Sequence, residues 1–221
     1  MRKEKELPSG KAERLEFIYR SLSNGIRTAK AKVPREWLAK KGLSIELTGA
    51  CFNSGQIHHR KDEGFKTALA EVGFMQKSNA VANCDSTPYT VFGIFSVMFP
   101  LRNKENEIVN FYSVRIRSEN KAYMNQEAGL YPAYPHQLTK RLFVVNSVLE
   151  AATLIQSKVL DNREAVIALH DGILMPEHQE AIKRLTKLEE LIYIHSTIPS
   201  QEKEKSVWNK PKNERASQHT I

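Results

Sequence analysis

The sequence predicts a mixed α/β protein in which a helical N-terminal region and an antiparallel β-hairpin precede a βαβαβ unit with a parallel sheet. Three short apolar runs, 142–145, 165–169 and 191–194, alternate with two segments of helical periodicity. A parallel strand that is buried on both faces has a continuous apolar sequence, whereas its crossover helix has a 3.6-residue period. Upstream, residues 89–117 carry β-branched and aromatic side chains on both sides of a polar turn, which indicates a hairpin.

The N-terminal region, residues 1–75, is expected to be helical and basic. Apolar residues in 11–22 follow the i, i+3, i+4, i+7 spacing of one helix face, and Asn24-Gly25 is expected to end that helix. The same reasoning predicts helices over 34–41 and 62–72, with a short helical turn in 44–50.

The middle of the chain divides into a polar linker, 76–88, and a β subdomain, 89–136. We expect strands over 89–100 and 107–117 around a turn at 103–106, followed by a short third strand at 122–125.

The βαβαβ unit is assigned to residues 137–198, and the polar segment 199–221 is expected to be a disordered tail. Asn146-Ser147 should cap the first helix, which is predicted over 148–158. The second helix is predicted to run from Pro176 to Lys187. Ligands of open parallel sheets bind at the carboxyl ends of the strands, so the loops after the three apolar runs are where chemistry would occur.

The formal net charge of +8 is concentrated at the ends of the chain. Residues 1–41 hold 12 Lys or Arg against 5 Asp or Glu, whereas residues 42–198 hold 16 against 17. Clustered cations release counterions from a polyanion, so nucleic acid is one natural partner for the basic segment. A solvated face without a ligand is the other interpretation.

Several function classes lack support in the sequence. No 18-residue apolar stretch or signal-like apolar segment occurs, so no membrane partner and a cytoplasmic location are expected. Cys51 and Cys84 lie too far apart for a CxxC site and are expected to be ordinary buried thiols. The adjacent His58 and His59 have no third ligand nearby and are expected in a solvated turn.

The order of the segments resembles a known family. The motifs are Met98-Phe99-Pro100-Leu101-Arg102-Asn103, then Ile108-Val109-Asn110-Phe111, then Tyr123-Met124-Asn125, followed by the βαβ unit. This series is similar to the catalytic core of bacterial DnaG-type primases, in particular the TOPRIM-domain primase-like proteins of Bacteroidetes conjugative and mobilisable elements. Residues 35–43 and 53–56 also resemble the helical segment that follows the zinc finger in those proteins, so the resemblance covers roughly 34–196.

The resemblance implies a subdomain that binds single-stranded template and a TOPRIM site for divalent metal ions. Such a site has a Glu after the first strand and an Asp-x-Asp pair after the third, which together would hold Mg²⁺. In this sequence Asn146 stands at the Glu position, and Ser196 and Ile198 stand at the Asp positions. Ser113 and Val114 replace the Gly-Arg motif of the second hairpin strand, and no zinc finger occurs. The metal site is therefore expected to be degenerate.

Other residues could still contribute. Glu150 and Asp171 are weak candidates for a displaced metal site, and the alternative is that they cap helices or face solvent. DNA binding is expected from cations on or beside the hairpin, with two tyrosines available for base stacking. These candidates are Arg102, Lys104, Arg115, Arg117, Lys121, Tyr112 and Tyr123. The alternative is that the cations are solvated and the tyrosines are packed beneath the sheet.

Three functions follow from these observations. The first is a catalytically inactive, primase-related protein of a mobile element, without a cofactor, that binds single-stranded DNA non-specifically in replication or transfer. The second is an active primase that uses Mg²⁺ at displaced ligands. The third is an interaction module that docks on a replicative helicase or another replication protein.

Overall fold

The structure is a computed structural model that describes residues 10–59, 63–77, 89–125 and 129–194. The helices are α1 (Lys11–Ile26), α2 (Lys32–Lys40), α3 (Ile45–Thr48), α4 (Glu63–Glu71), α5 (Val148–Ser157) and α6 (Pro176–Lys183). The strands are β1 (Cys51–Asn53), β2 (Met75–Lys77), β3 (Tyr89–Val91), β4 (Ser96–Arg102), β5 (Ile108–Arg115), β6 (Lys121–Tyr123), β7 (Arg141–Val145), β8 (Glu164–Ala168) and β9 (Glu190–Ile194). The predicted α/β class, with N-terminal helices, a hairpin and a parallel sheet, is confirmed.

Helix α1 is longer than its sequence predicts. It continues through Asn24-Gly25 to Ile26, because Ile26 extends the apolar stripe and is fully buried. The guanidinium of Arg35 donates to the carbonyl oxygens of Ile26, at 3.0 Å, and of Thr28. A cation that bonds the last carbonyls of a helix stabilises its C-terminus, so tertiary contacts here outweigh the local turn signal.

A four-stranded antiparallel sheet, in the order β1-β4-β5-β6, lies at the centre of the molecule. The predicted strand 89–100 is divided into β3 and β4, since Gly93 and Phe95 both have positive φ values, of 64° and 55°. Strand β3 pairs with β2, so the start of the predicted linker is a strand, and residues 78–88 lie outside the described part. Strand β1 was not predicted.

Both faces of the antiparallel sheet are buried. Helices α1 and α4 cover one face, where Leu15, Leu69 and Phe111 belong to one apolar cluster. On the other face, a second cluster joins residues of α2 and β5, such as Leu38 and Val114, to residues of α5. The antiparallel sheet therefore forms the middle layer between two helical layers. The buried Cys51 of β1 confirms the expectation of a core thiol for that residue.

The parallel sheet has the order β8-β7-β9, and α5 and α6 lie on opposite faces of it. Arg141 is the first residue of β7, and its guanidinium lies 2.7 Å from Glu164 and 3.1 Å from Glu190, the first residues of β8 and β9. These ion pairs join the starts of the three strands, which are paired in the same register. Helix α6 ends at Lys183, four residues before its predicted end. The predicted tail, 199–221, lies outside the described residues.

Tyr131 joins the two sheets. Its neighbour Leu130 forms a backbone bridge with Arg102 of β4, and its own carbonyl accepts a 3.0 Å bond from the amide of Ala168 in β8. Its buried hydroxyl donates to the carbonyl of Thr48 at 2.9 Å. Residues of both sheets thus belong to the same apolar cluster, across the boundary predicted at 136/137.

Candidate nucleic-acid interface

The carboxyl ends of β7 and β8 are adjacent at one edge of the parallel sheet. The amide of Leu169 donates to Val145 O, and the amide of Gly172 donates to Asn146 O, both at 2.8 Å. The loops after these strands bring Asn146 and Asp171 to the same edge, as the topology predicts. Ser196 and Ile198, expected after β9, lie outside the described residues.

Glu150 is part of a helix cap. The hydroxyl of Ser147 accepts a 3.3 Å bond from the amide of Glu150, and the carboxylate of Glu150 accepts a 2.8 Å bond from the amide of Asn146. This reciprocal pair is close to a capping box and satisfies amides at the start of α5 that have no partner within the helix. The structure therefore places Glu150 in the capping role that was the alternative to metal binding.

Asp171 occupies a turn after β8 and has a positive φ of 50°. Its charge lies close enough to Tyr112 and Tyr123 to influence both phenols. Burial, which disfavours the phenolate, raises the pKa of each tyrosine well above its usual value, and the Asp171 carboxylate raises it further. Both hydroxyls therefore stay protonated beside the sheet edge.

An aromatic and imidazole cluster fills the space between the hairpin and this edge. The ring of Tyr112 lies 4.9 Å from that of Tyr123, which stacks at 4.5 Å on His170. The ring of His170 in turn meets that of His178, edge to face, at 5.2 Å. Tyr112 has no exposed surface and Tyr123 is 9% exposed. The prediction that these tyrosines stack on bases is therefore wrong for this conformation, because a buried ring presents no face to a base.

His170 and His178 were not among the predicted site residues. The Nε2 of His170 lies 3.1 Å from the carbonyl of Gly129, and the Nε2 of His178 lies 2.9 Å from that of Ala168. The Nδ1 of His178 accepts a bond from the amide of Met175 at 3.0 Å, which fixes the neutral imidazole with its proton on Nε2. Burial lowers the pKa of His178 to about 4. The sequence did indicate one thing about His170: it comes directly after the apolar run 165–169, at the carboxyl end of a predicted strand.

The residues at this edge do not fit a Mg²⁺ site. Magnesium is held mainly by carboxylates, and the candidates here are an amide on Asn146, the capping carboxylate of Glu150 and the single carboxylate of Asp171. Across the described ranges, no three His, Cys, Asp or Glu side chains are grouped as metal ligands. The described residues at this edge therefore do not form a cluster that would hold Mg²⁺.

The predicted cations of the hairpin lie at its two opposite ends. Arg102 ends β4 opposite Ile108, whereas Arg115 ends β5 opposite Ser96. At a rise of about 3.3 Å per residue, β5 separates these ends by roughly 23 Å. The predicted cations thus form two separate groups, one at each end of the hairpin.

The group next to the turn at 103–106 is partly occupied by contacts within the protein. Arg102 donates to the carbonyl of Asn106 at 2.7 Å, and Lys104 lies 3.9 Å from Glu180 of α6. These side chains stabilise the turn and bring it near α6, so they are less available to a ligand.

The second group forms a larger exposed surface. Arg115, Arg117 and Lys121 are exposed, and none of the three pairs with an acidic side chain in the part of the chain that the structure describes. Arg117 lies in the tight turn after β5 rather than on the strand as predicted, since the amide of Glu119 bonds the carbonyl of Arg115.

The C-terminus of α2 adds to this surface. Lys41 Nζ lies 2.9 Å from Glu119 of the β5–β6 turn, and this ion pair places the end of α2 beside that turn. We call the resulting surface the β5–β6 cationic patch, and its members are Lys41, Arg115, Arg117 and Lys121. Phosphate groups of a strand are the ligands that such a surface attracts most strongly.

The basic N-terminal segment contributes fewer available cations than its composition suggests. Arg14 pairs with Glu71 of α4, Arg20 with Glu16 within α1, and Lys32 with Glu36 within α2. Residues 1–9 lie outside the described part. Separately, the described residues include no helix that is both long and apolar enough to cross a membrane.

Solved structures with the same fold are catalytic domains of bacterial DNA primases. A DnaG primase catalytic domain bound to single-stranded DNA matches with a TM-score of 0.66 and 16% identity, over 83% of this chain and 60% of that one. A DNA primase domain from Pseudomonas aeruginosa gives the same values. The Escherichia coli primase catalytic core matches with a TM-score of 0.60 and 17% identity, over 82% of this chain and 61% of that one.

These matches show that the chain has the fold of the primase catalytic core, and they agree with the resemblance seen in the motifs. The chain spans about three fifths of the length of each of these structures. No protein-family model matches the sequence, and no curated protein matches it.

Proposed function

We propose that this chain is a primase-related protein that binds single-stranded DNA through phosphate contacts and does not synthesise primers. The observation that carries the proposal is the combination of a primase-core fold, an exposed cationic patch and the absence of a carboxylate cluster among the described residues at the sheet edge. One structural neighbour is a primase domain bound to single-stranded DNA, which supports this class of ligand.

The mode of binding follows from the chemistry of the β5–β6 cationic patch. Its lysines and arginines contact phosphates, which carry no sequence information, so binding is expected to be non-specific. Tyr112 and Tyr123 are buried, whereas Phe95, whose carbonyl accepts a bond from the amide of Ile116, is 55% exposed beside the patch and is the aromatic ring there that is available to a base. Affinity should then be mainly electrostatic and should fall steeply with salt.

The loss of primer synthesis follows from the degenerate metal site. Asn146 provides no charge, Glu150 caps α5, and the family's paired acids correspond to Ser196 and Ile198. Without clustered carboxylates, the charge of the reacting phosphates is not neutralised by metal ions. The resemblance of the motifs supports an origin on a mobile element and a role in its replication or transfer, where a replicative helicase would be a natural neighbour. A cytoplasmic location is the remaining part of the proposal.

The test is fluorescence anisotropy of a labelled single-stranded oligonucleotide, over a salt series, with and without Mg²⁺. Binding should be independent of Mg²⁺, and log K should fall linearly with log salt concentration. A parallel assay with nucleoside triphosphates, template and Mg²⁺ should yield no primer. Primer synthesis would instead support the active enzyme, and absence of binding at low salt would overturn the DNA-binding proposal.

Matched triple variants locate the binding surface. The variant Arg115→Ala, Arg117→Ala, Lys121→Ala should lower the salt slope by about 2, since each phosphate contact on a single strand contributes about 0.7. The control variant removes three other exposed cations, by Lys158→Ala, Arg163→Ala and Lys187→Ala. Both variants have the same net charge, so an equal effect would show that only overall charge matters and that the patch is not the site.

A further inference from the structure

One aromatic side chain is exposed on the turn that joins β3 to β4. Phe95 is 55% exposed, and it is the last residue of this turn before β4 begins at Ser96. Its ring belongs to none of the three apolar clusters that the described residues form. Residues 78–88, which lie outside the described part, connect the ends of β2 and β3 that are away from this turn. Core packing therefore does not account for a phenylalanine at this position.

The backbone of Phe95 has an unfavourable conformation for a bulky residue. Its φ is 55°, in the left-handed region, where a side chain of this size is an outlier. Such a conformation persists only where the surrounding structure holds it, and residues of this kind cluster at functional sites. The strain is thus carried by a residue whose ring contributes little to the core.

The fully buried Asn53 of β1 holds this turn in place. The carbonyl of Asn53 accepts a 2.8 Å bond from the amide of Phe95, and its side-chain amide donates to the carbonyl of Phe92 at 2.8 Å. On the other side, the carbonyl of Phe95 accepts a 3.2 Å bond from the amide of Ile116. Both backbone polar groups of Phe95 are therefore bonded, so its exposed ring extends from a fixed position.

The turn brings Phe95 to the β5–β6 cationic patch. Ser96 is in register with Arg115, and the bond to Ile116 places Phe95 opposite the residue that lies between Arg115 and Arg117. Both arginines are exposed. Proteins that bind single strands combine cations for the phosphates with aromatic rings on which the bases stack. The described residues at this end of the antiparallel sheet provide both.

We propose that Phe95 is the residue by which the patch distinguishes single-stranded from double-stranded DNA, an inference that rests on the proposed function. Lysine and arginine bind the phosphates of both forms, and the duplex has the higher charge density, so the cations alone give no preference for a single strand. In a duplex the faces of the bases are covered by their neighbours. In a single strand an unpaired base can stack on Phe95, and every base has a face that suits this contact.

The experiment compares the affinities of the full chain for a labelled single strand and for a blunt duplex of the same sequence. Phe95→Ala should bind the single strand about 5- to 150-fold more weakly, the range expected for the loss of one stacked base, and the duplex as wild type does. The slope of log K against log salt concentration should not change, since no phosphate contact is lost. Phe95→Trp should retain the affinity for the single strand. The control Leu138→Ala, at a 57% exposed position before β7, should bind both forms as wild type does.

Two further measurements separate stacking from an effect on folding. Phe95→Gly also removes the ring, but glycine adopts a positive φ without strain. It should therefore unfold at a higher temperature than Phe95→Ala and yet show the same loss of affinity for the single strand. An oligonucleotide of abasic sites keeps the phosphates and has no bases, so wild type and Phe95→Ala should bind it equally.

The outcomes distinguish this inference from the proposed function. If wild type binds the single strand and Phe95→Ala binds it equally well, the inference is overturned and the proposed function remains. An equal loss of affinity for the single strand and the duplex in Phe95→Ala also overturns the inference. If wild type does not bind the single strand at low salt, the proposed function and the inference are both wrong.

Discussion

Tyr123 and His170 stack with their ring centroids 4.5 Å apart and their planes inclined by 24°. Tyr123 belongs to β6 of the antiparallel sheet, and His170 follows β8 of the parallel sheet. Their contact joins the two sheets beside the carboxyl ends of β7 and β8, next to the helix cap that Glu150 forms at the start of α5.

Substitutions of Glu150 separate the capping role from a catalytic role. Glu150→Ala should lower the free energy of unfolding by about 1 kcal/mol, because it removes the bond to the amide of Asn146 at the start of α5. Glu150→Gln keeps an oxygen acceptor and should recover most of that loss. Chemical denaturation measures both variants, and neither should change the affinity for DNA. Loss of a metal-dependent activity in both would contradict the capping role.

Two buried tyrosines should respond in opposite ways to the same substitution. The hydroxyl of Tyr131 donates to Thr48 O at 2.9 Å, so Tyr131→Phe leaves that carbonyl unpaired and should cost about 1 to 3 kcal/mol. The hydroxyl of Tyr112 is buried and bonds no group among the described residues, so Tyr112→Phe should be neutral or stabilising. Urea denaturation compares the two. An equal loss in both variants would show that Tyr112 also has a partner.

The protein should lose stability as the pH falls from about 6.5 toward 4. The pKa of His178 is about 4 in the folded protein, mainly because of burial, and near 6.5 in the unfolded chain. Below pH 6.5 the unfolded chain therefore binds a proton that the folded protein excludes, and the free energy of unfolding decreases, by up to about 3 kcal/mol at pH 4. Above pH 7 this contribution is constant.

The variant His178→Gln tests that assignment, with His59→Gln, at an exposed position, as its control. Unfolding free energies at pH 4 to 8 should depend less on pH in His178→Gln, whereas the control should behave as wild type. An unchanged slope in His178→Gln would assign the pH dependence to other groups.

A pair of glycines distinguishes crowding from backbone strain. Gly129 has a φ of 82°, and a Cβ added there would lie 2.8 Å from Leu101 Cβ and 2.9 Å from Val109 Cγ2. Gly172 has a φ of 83° but open space around it. Gly172→Ala should cost about 1 to 2 kcal/mol from the left-handed backbone alone, and Gly129→Ala about 1 to 3 kcal/mol more. Thermal unfolding measures both variants. Similar midpoints for Gly129→Ala and Gly172→Ala would show that Leu101 and Val109 move to accommodate the added methyl group.

The main elements of the fold could be predicted because their apolar periods differ. The continuous apolar runs 142–145, 165–169 and 191–194 predicted the three strands of the parallel sheet. The helical period of 11–22 predicted most of α1. Strand β1 could not be predicted, since Cys51–Asn53 is too short for a period and forms only by pairing with β4.

The site could be predicted less well. Strand β5 is buried on both faces, so alternation could not show that Tyr112 points into the core. The hairpin cations fall into two groups because the register of β4 against β5 places Arg102 and Arg115 at opposite ends of the strand pair. The capping role of Glu150 could be anticipated from Ser147 three residues before it.

The contacts of Tyr131 and the apolar cluster shared by both sheets also determine how the protein should unfold. Because one of the apolar clusters takes residues from both sheets, heat should melt them in one cooperative transition, with calorimetric and van't Hoff enthalpies in agreement. Fragments cut at 136/137 would each expose apolar residues of this shared cluster, so we expect each fragment to be less stable than the whole chain.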